Sequence, residues 1–214
     1  MTDKIYEYKG EAVSVTYDKH RCIHAAECVR GLPSVFDPKA RPWIQPDGAT
    51  ADEVAEVVTR CPTGALRFVR HDGADGEAAA DENVLTVAAD GPVYARGRIV
   101  LQGAEGAVEE NRVGLCRCGA SKNKPFCDGS HSEAGFQATA AIGEDPKVRS
   151  GEASANTLEV KPLPDGPLLL DGPFEIRGGD DQCSGTNAAL CRCGASESKP
   201  FCDGAHKAIG FKSA

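Results

Sequence analysis

The stretch Cys116-Arg-Cys118-Gly-Ala-Ser-Lys-Asn-Lys-Pro125-Phe-Cys127-Asp128-Gly-Ser-His131 returns 75 residues later as Cys191-Arg-Cys193-Gly-Ala-Ser-Glu-Ser-Lys-Pro200-Phe-Cys202-Asp203-Gly-Ala-His206. From Cys116 to Phe136 and from Cys191 to Phe211, 15 of 21 positions are identical. Self-similarity at a fixed offset means one structural unit built twice. Three cysteines and a histidine at fixed intervals, with glycines and a proline shaping the turns between them, make each copy a candidate metal-ligand set. Whatever this chain folds into must present both loops.

A length of 214 residues exceeds the usual single-domain mode of roughly 100–150, so at least two domains are expected. Aromatic residues make up only 6%, against 24 glycines and 13 prolines, so the cores must be small and loop-rich. In such folds bound metal commonly supplies missing stability. The formal charge of −8 and the lack of a basic stripe argue against nucleic acid as a partner and leave room for an electropositive protein. Met1-Thr-Asp-Lys-Ile has no signal-peptide pattern, and no apolar run approaches the roughly 18 residues of a membrane helix, so a soluble, cytoplasmic protein without membrane contact is expected. The ten cysteines fall into three triads plus Cys183, a grouping that metal ligation explains better than a disulfide framework. Cys183 has Val108 at the corresponding place in the first copy and reads as a bystander.

Residues 1–70 read as one unit. Val13-Ser-Val15-Thr-Tyr17 alternates as a strand does, and Cys22-Ile-His24-Ala25-Ala-Glu-Cys28 follows as a loop bearing two thiols. Thr50-Ala-Asp-Glu53 has capping-box spacing, and Ala51, Val54, Val57, Val58 and Cys61 recur at helical intervals, which predicts a helix over about 51–60, stopped by Pro62. Ala65–Val69 then closes a strand-helix-helix-strand sandwich, with Cys61 facing the loop of Cys22 and Cys28. The pattern Cys-x5-Cys, Val35-Phe36-Asp37 and Cys61-Pro62-Thr-Gly64-Ala65-Leu66 resembles single-cluster bacterial ferredoxins, most closely their divergent relatives carrying Cys-Ile-His-Ala. Where four-cysteine ferredoxins have a central cysteine, this chain has Ala25. Three thiolates from Cys22, Cys28 and Cys61 suit a 3Fe-4S cluster. A 4Fe-4S cluster needs water, a small ligand or His24 for its fourth iron. The same triad read without a cluster is a structural set.

Residues 71–83 carry five carboxylates and no aromatic or β-branched residue, so they read as a solvated acidic linker. The first repeat then spans 84–137, a connection 138–156, and the second repeat 157–214. Asp90-Gly-Pro92 matches Asp165-Gly-Pro167 at the offset of the cysteines, so each repeat includes strands ahead of its loop. Val93–Leu101 and Leu168–Ile176 alternate and break at Gly97 and Gly172, as short strands with a bend do. Gly143–Asn156 reads as an exposed connection.

In Cys116-Arg-Cys118 the thiols are two residues apart, so an extended backbone points both to one side. Cys127 and His131 share a face if a helical turn begins after Cys127, with Asp128 and Asp203 capping the turns. Arg117 and Arg192 are expected to point away or across to a cluster sulfide, and Lys124 and Lys199 to lie near the histidines or in solvent. Three cysteines and a histidine also make a zinc set, although the eight-residue gap between Cys118 and Cys127 is unlike ordinary zinc fingers. The block resembles the CDGSH iron-sulfur, or NEET, family, with Cys127-Asp-Gly-Ser-His131 in full and a departure at Ala205 in the second copy. The resemblance implies two 2Fe-2S clusters, one on Cys116, Cys118, Cys127 and His131 and the other on Cys191, Cys193, Cys202 and His206. It also implies that two motifs in one chain form a monomeric pseudo-dimer, with a shared β-cap built from the strands at 93–101 and 168–176, either kept within or exchanged between the halves. The expected fold is therefore α+β, a small ferredoxin-like domain followed by a β-rich tandem.

A neutral imidazole in place of a thiolate raises a cluster's potential, and acid competes with metal for the histidine. One-electron transfer is the leading expectation, with redox partner proteins at each end. The alternative is cluster storage, transfer to apo iron-sulfur acceptors, or redox or pH sensing. No nucleophile-base pair, phosphate loop or dinucleotide fingerprint points to an enzyme.

Overall fold

In the computed structural model, which describes residues 5–103, 106–151 and 155–213, the chain divides into two compact units, Met1–Ala78 and Ala79–Ala214. Strand accounts for 35% of residues and helix for 14%, so the protein is mostly β.

The first unit is a three-stranded antiparallel sheet carrying helices on its inner face. Strand β1 (Ile5–Tyr8) pairs with β2 (Val13–Asp18), which pairs with β3 (Leu66–Arg70). Two helices intervene, α1 (Glu27–Gly31) and α2 (Ala51–Thr59). Helix α2 starts where its sequence says. The Glu53 amide donates to Thr50 Oγ1 at 3.3 Å, and the Thr50 amide donates to the Glu53 carboxylate at 2.9 Å, which satisfies two orphan amides reciprocally. Its Ala51, Val54, Val57 and Val58 then bury one stripe against Val13, Val15, Phe36, Ile44 and Leu66. Strand β1 adds to the predicted elements. Its side chains are largely exposed, so it carries no inward-outward pattern to read.

In the second unit the two repeats interlock. The first contributes β4 (Val84–Val87), β5 (Val93–Gly103), β6 (Gly106–Leu115) and α3 (Ser130–Glu133). After β7 (Val148–Arg149), the second contributes β8 (Leu158–Pro162), β9 (Leu168–Gly178), β10 (Asp181–Leu190) and α4 (Ala205–Ala208). One edge of β5 stays on β6 throughout, but the other changes partner. Val93–Arg96 pairs antiparallel with β4, and beyond Gly97 Ile99–Leu101 pairs parallel with β8 of the other repeat. Strand β9 does the same, moving from β8 to β4 across Gly172. Both glycines have positive φ, +143° and +113°. A Cβ on Gly97 would strike Asn83 and the Glu82 carbonyl, and one on Gly172 would strike the Thr157 carbonyl. The bends read from the sequence are thus the points where the repeats exchange strands, within strands of 11 residues each.

Leu85, Val93, Ile99, Val113 and Leu115 from one repeat and Leu158, Val160, Leu170, Ile176 and Leu190 from the other form a single core. Two segments read as solvated are more tied down than their composition suggests. Asn83, placed at the end of the acidic linker, is buried, donating to the Pro173 carbonyl at 2.9 Å and accepting from the Arg98 amide at 2.8 Å. Within the connection, Ile142 enters the core and β7 pairs with β10, so a few apolar residues anchor an otherwise exposed strip.

Candidate metal centres

Each ligand loop leaves the end of a long strand and returns to it. Leu115, the last residue of β6, bridges to Phe126. The Cys116 amide donates to the Pro125 carbonyl at 2.9 Å and the Cys127 amide to the Gly114 carbonyl at 2.8 Å. Leu190, Phe201, Cys191 and Cys202 repeat the arrangement. The return places the second ligand arm beside the first. Cys116 Sγ lies 3.8 Å from Cys118 Sγ, and Cys127 Sγ lies 3.3 Å from His131 Nδ1. In the second loop the separations are 3.7 Å for Cys191 and Cys193 and 3.4 Å for Cys202 and His206.

These distances have a direct meaning. Two thiolates about 2.3 Å from one tetrahedral metal lie about 3.8 Å apart, and a thiolate and an imidazole nitrogen on one metal lie about 3.5 Å apart. Each pair therefore spans one edge of a tetrahedron around one metal. The four donors of each loop thus come as two metal-spaced pairs, a set that fits a two-metal centre.

Short polar contacts fix the loops. Asp128 accepts from the amides of Lys122 at 2.8 Å and Ser130 at 3.0 Å, and Asp203 accepts from those of Glu197 at 2.8 Å and Ala205 at 2.9 Å. The N-caps of α3 and α4 are Gly129 and Gly204, not the expected aspartates; each carboxylate sits one residue earlier and accepts from the first amide of the turn that carries the histidine. Buried Ser121 and Ser196 each donate to the carbonyl of the phenylalanine before the third cysteine, at 2.7 Å. Sequence reasoning passed over these serines, although their identity in both copies was the available signal. Arg117 and Arg192, expected to point away or across to a cluster sulfide, are buried and turned onto backbone. Arg117 donates to the carbonyls of Ala88, Gly91, Ala138 and Thr139, and Arg192 to those of Leu163 and Gly166. They grip the Asp-Gly-Pro turns, because a buried guanidinium must satisfy its donors and the backbone supplies the acceptors. Lys124 and Lys199 are likewise turned onto backbone, the carbonyls of Ser121 and Ser196.

In the first unit Cys22, Cys28 and Cys61 line one half-open cavity, together with Tyr17, Ala25, Glu27, Trp43 and Thr63. The Cys22–Cys28 loop turns around it with His24 and Ala26 at φ +57° and +61°. His24 is exposed and does not line the cavity, so the suggested histidine ligand points elsewhere. Ala25 stands at the corner without a thiolate. Three thiols around one cavity fit an iron-sulfur cluster held at three corners.

Comparison with protein families matches residues 8–71 to the divergent 4Fe-4S mono-cluster family, and residues 90–132 and 165–207 to the family described as iron-binding zinc finger, CDGSH type. The chain belongs to these families: a mono-cluster domain followed by two CDGSH iron-binding domains. Among curated proteins, the uncharacterized protein YjdI of Escherichia coli K12 is 41% identical over 64 residues, 30% of this chain and 83% of that protein. YjdI of Escherichia coli O157:H7 matches equally. No solved structure matches the chain.

Burial and hydrogen bonding set the electrostatics of the cysteine sites. In the mono-cluster domain burial pushes the Cys28 thiol up to about 11. Burial also raises Tyr17, which is hydrogen-bonded to Cys22, a contact the sequence gave no sign of. In the first CDGSH domain a hydrogen bond between Cys116 and Cys118 holds Cys118 down to about 7 and drives Cys116 up. Burial raises Cys127 to about 11 and lowers His131. Because a metal requires thiolates, loading these sites must release protons.

Proposed function

We propose that the protein is a one-electron carrier holding a 2Fe-2S cluster in each CDGSH domain and a third cluster in the mono-cluster domain. The observation that carries this reading is the two-plus-two grouping of donors in each CDGSH loop, which suits two irons better than one zinc ion. Cys116 and Cys118 would hold one iron and Cys127 and His131 the other, with Cys191, Cys193, Cys202 and His206 in the same roles. When bound, such clusters take up and release single electrons. The chain's part is to fix the donors on short hydrogen-bonded loops and to shield the buried first cysteine of each set, Cys116 and Cys191, from water. The interlocked seven-stranded sheet plays the part of a β-cap, and the single chain acts as a monomeric pseudo-dimer. The mono-cluster domain serves as a ferredoxin-like relay, with separate redox proteins as donor and acceptor and no catalytic step of its own.

For the mono-cluster domain, Cys22, Cys28 and Cys61 supply three corners, which favours 3Fe-4S in the resting protein. The family's description as 4Fe-4S supports a fourth iron completed by a ligand from outside the chain. Anaerobic purification with iron, sulfide and zinc counts, followed by EPR during a reductive titration, tests the whole reading. Zinc in the CDGSH domains, or clusters that stay oxidised at physiological potentials, would overturn it.

A second reading, cluster storage and transfer, is favoured by the positions of His131 and His206. Both are half-exposed on one-turn helices. Mixing loaded protein with an apo ferredoxin separates the two: a carrier keeps its iron, whereas a donor loses it and is blocked by His131→Cys and His206→Cys.

A further inference from the structure

A buried hydroxyl of the mono-cluster domain sits against one of its thiols. Thr63 is 2% exposed and lines the cavity shared by Cys22, Cys28 and Cys61. Its Oγ1 lies 3.8 Å from Cys61 Sγ, within hydrogen-bonding reach of the larger sulfur atom. The turn that carries both residues is fixed at each end. The Cys61 amide donates to the Val58 carbonyl at 3.0 Å, and the Ala65 carbonyl accepts from the Asp18 amide at 2.8 Å. Between them Gly64, at φ +67°, brings its amide back to the Cys61 carbonyl at 3.4 Å. A β-branched side chain has few χ1 choices, so the Thr63 hydroxyl is held beside the sulfur.

A buried hydroxyl needs a partner, and the cavity wall it shares is mostly apolar, with Trp43, Pro62, Ala65 and Leu66. Glu27, the carboxylate of that wall, accepts from Arg30 at 3.1 Å. In the metal-free domain either Thr63 or Cys61 could be the donor. A metal binds cysteine as the thiolate, which has no proton to give. Loading therefore leaves Thr63 as donor and the sulfur as acceptor. The CDGSH loops spend their buried hydroxyls differently, since Ser121 and Ser196 donate to the Phe126 and Phe201 carbonyls at 2.7 Å.

We propose that Thr63 tunes the mono-cluster centre: its hydroxyl donates to the Cys61 sulfur and raises the potential at which that centre accepts an electron. This rests on the reading that Cys22, Cys28 and Cys61 hold an iron-sulfur cluster. An added electron makes the sulfurs more negative, and a fixed donor binds a more negative acceptor more strongly. The bond thus stabilises the reduced form more than the oxidised one, as hydrogen bonds to sulfur do in setting cluster potentials. Thr63 acts through Cys61 and is a positioning residue, so its signature is a potential.

The test is a mediated one-electron titration of the full-length loaded protein, with dithionite as the electron source and EPR as the readout. The mono-cluster signal is the one that Cys28→Ala removes. Thr63→Val keeps the shape but not the hydroxyl, and should make that centre about fivefold harder to reduce, roughly 40 mV from about 59 mV per tenfold. Thr63→Ser keeps the hydroxyl and should stay within about twofold of the parent. The CDGSH centres should move by less than about twofold in either variant. Thr63→Ala serves where Thr63→Val fails to assemble, and should shift the potential in the same direction. An unchanged potential without the hydroxyl, a shift toward easier reduction, or a serine variant that moves as far as valine would overturn the proposal. Failure of both hydroxyl-free variants to hold the centre would assign Thr63 to assembly and overturn it equally. If Cys28→Ala leaves the iron and sulfide content and the EPR spectrum unchanged, it is the iron-sulfur reading of that domain that falls, before Thr63 is altered.

Discussion

At the scale of single residues, Asp203 organises its loop with two accepted hydrogen bonds, and amide donation from Ala205 and Glu197 holds its carboxyl below the usual carboxylate range. Removing a hydrogen-bond acceptor of this kind costs about 1 kcal/mol, roughly a factor of five in an equilibrium. Asp203→Ala should therefore lose the second cluster about fivefold faster than the parent, followed as bleaching of the visible absorbance, while the first cluster decays unchanged. His131 makes a prediction about pH. Burial lowers its pKa below the ordinary value near 6.5. In the window between those two values the unfolded chain binds the extra proton and the folded chain does not. The contribution to stability is complete above about 6.5 and declines as pH falls through the window. In the loaded protein the same proton competes with metal. Urea denaturation of the metal-free second unit should show a lower midpoint at pH 5 than at pH 7.5, and His131→Gln should flatten that difference.

At the scale of elements, the glycine bends are the feature whose meaning changed most between sequence and structure. Alternation located β5 and β9 and marked Gly97 and Gly172 as breaks, because period-two burial is written directly into Val93, Ala95, Ile99 and Leu101. The family resemblance raised an exchange of these strands between the halves, but not that it happens at the breaks, since that depends on which strand edge the other repeat brings within reach. The same divide runs through the ligand loops. Spacing placed Cys116 beside Cys118 and Cys127 beside His131, because strand and helix periods act over a few residues. It did not name the carbonyl partners of Arg117 and Arg192, which are 21 to 29 residues away. Gly172→Ala puts a side chain at φ +113° against the Thr157 carbonyl. Strain of that kind costs of order 1–3 kcal/mol. The thermal midpoint of the second unit should fall by several degrees, with the first unit's transition unmoved. A variant that melts like the parent would show that the bend tolerates a side chain.

For the whole molecule, the two CDGSH halves are near copies in topology but differ in surroundings, and the difference is electrostatic. Lys147, from the connection between the repeats, donates to Ser198 Oγ at 3.2 Å, and its positive charge partly opposes the burial that raises the Cys202 thiol. The place 75 residues earlier is held by Asp72, in the first compact unit. A cation beside one centre stabilises the added electron there, so the second centre should be reduced before the first. Lys147 is exposed, and a surface charge is screened over a Debye length of about 10 Å at 0.1 M salt. The gap between the two reduction steps should therefore narrow as salt rises. Lys147→Gln should narrow it at low salt by less than tenfold and remove most of its salt dependence. A gap that is insensitive both to Lys147→Gln and to ionic strength would place the asymmetry in the loops themselves, where Ala205 stands in place of Ser130.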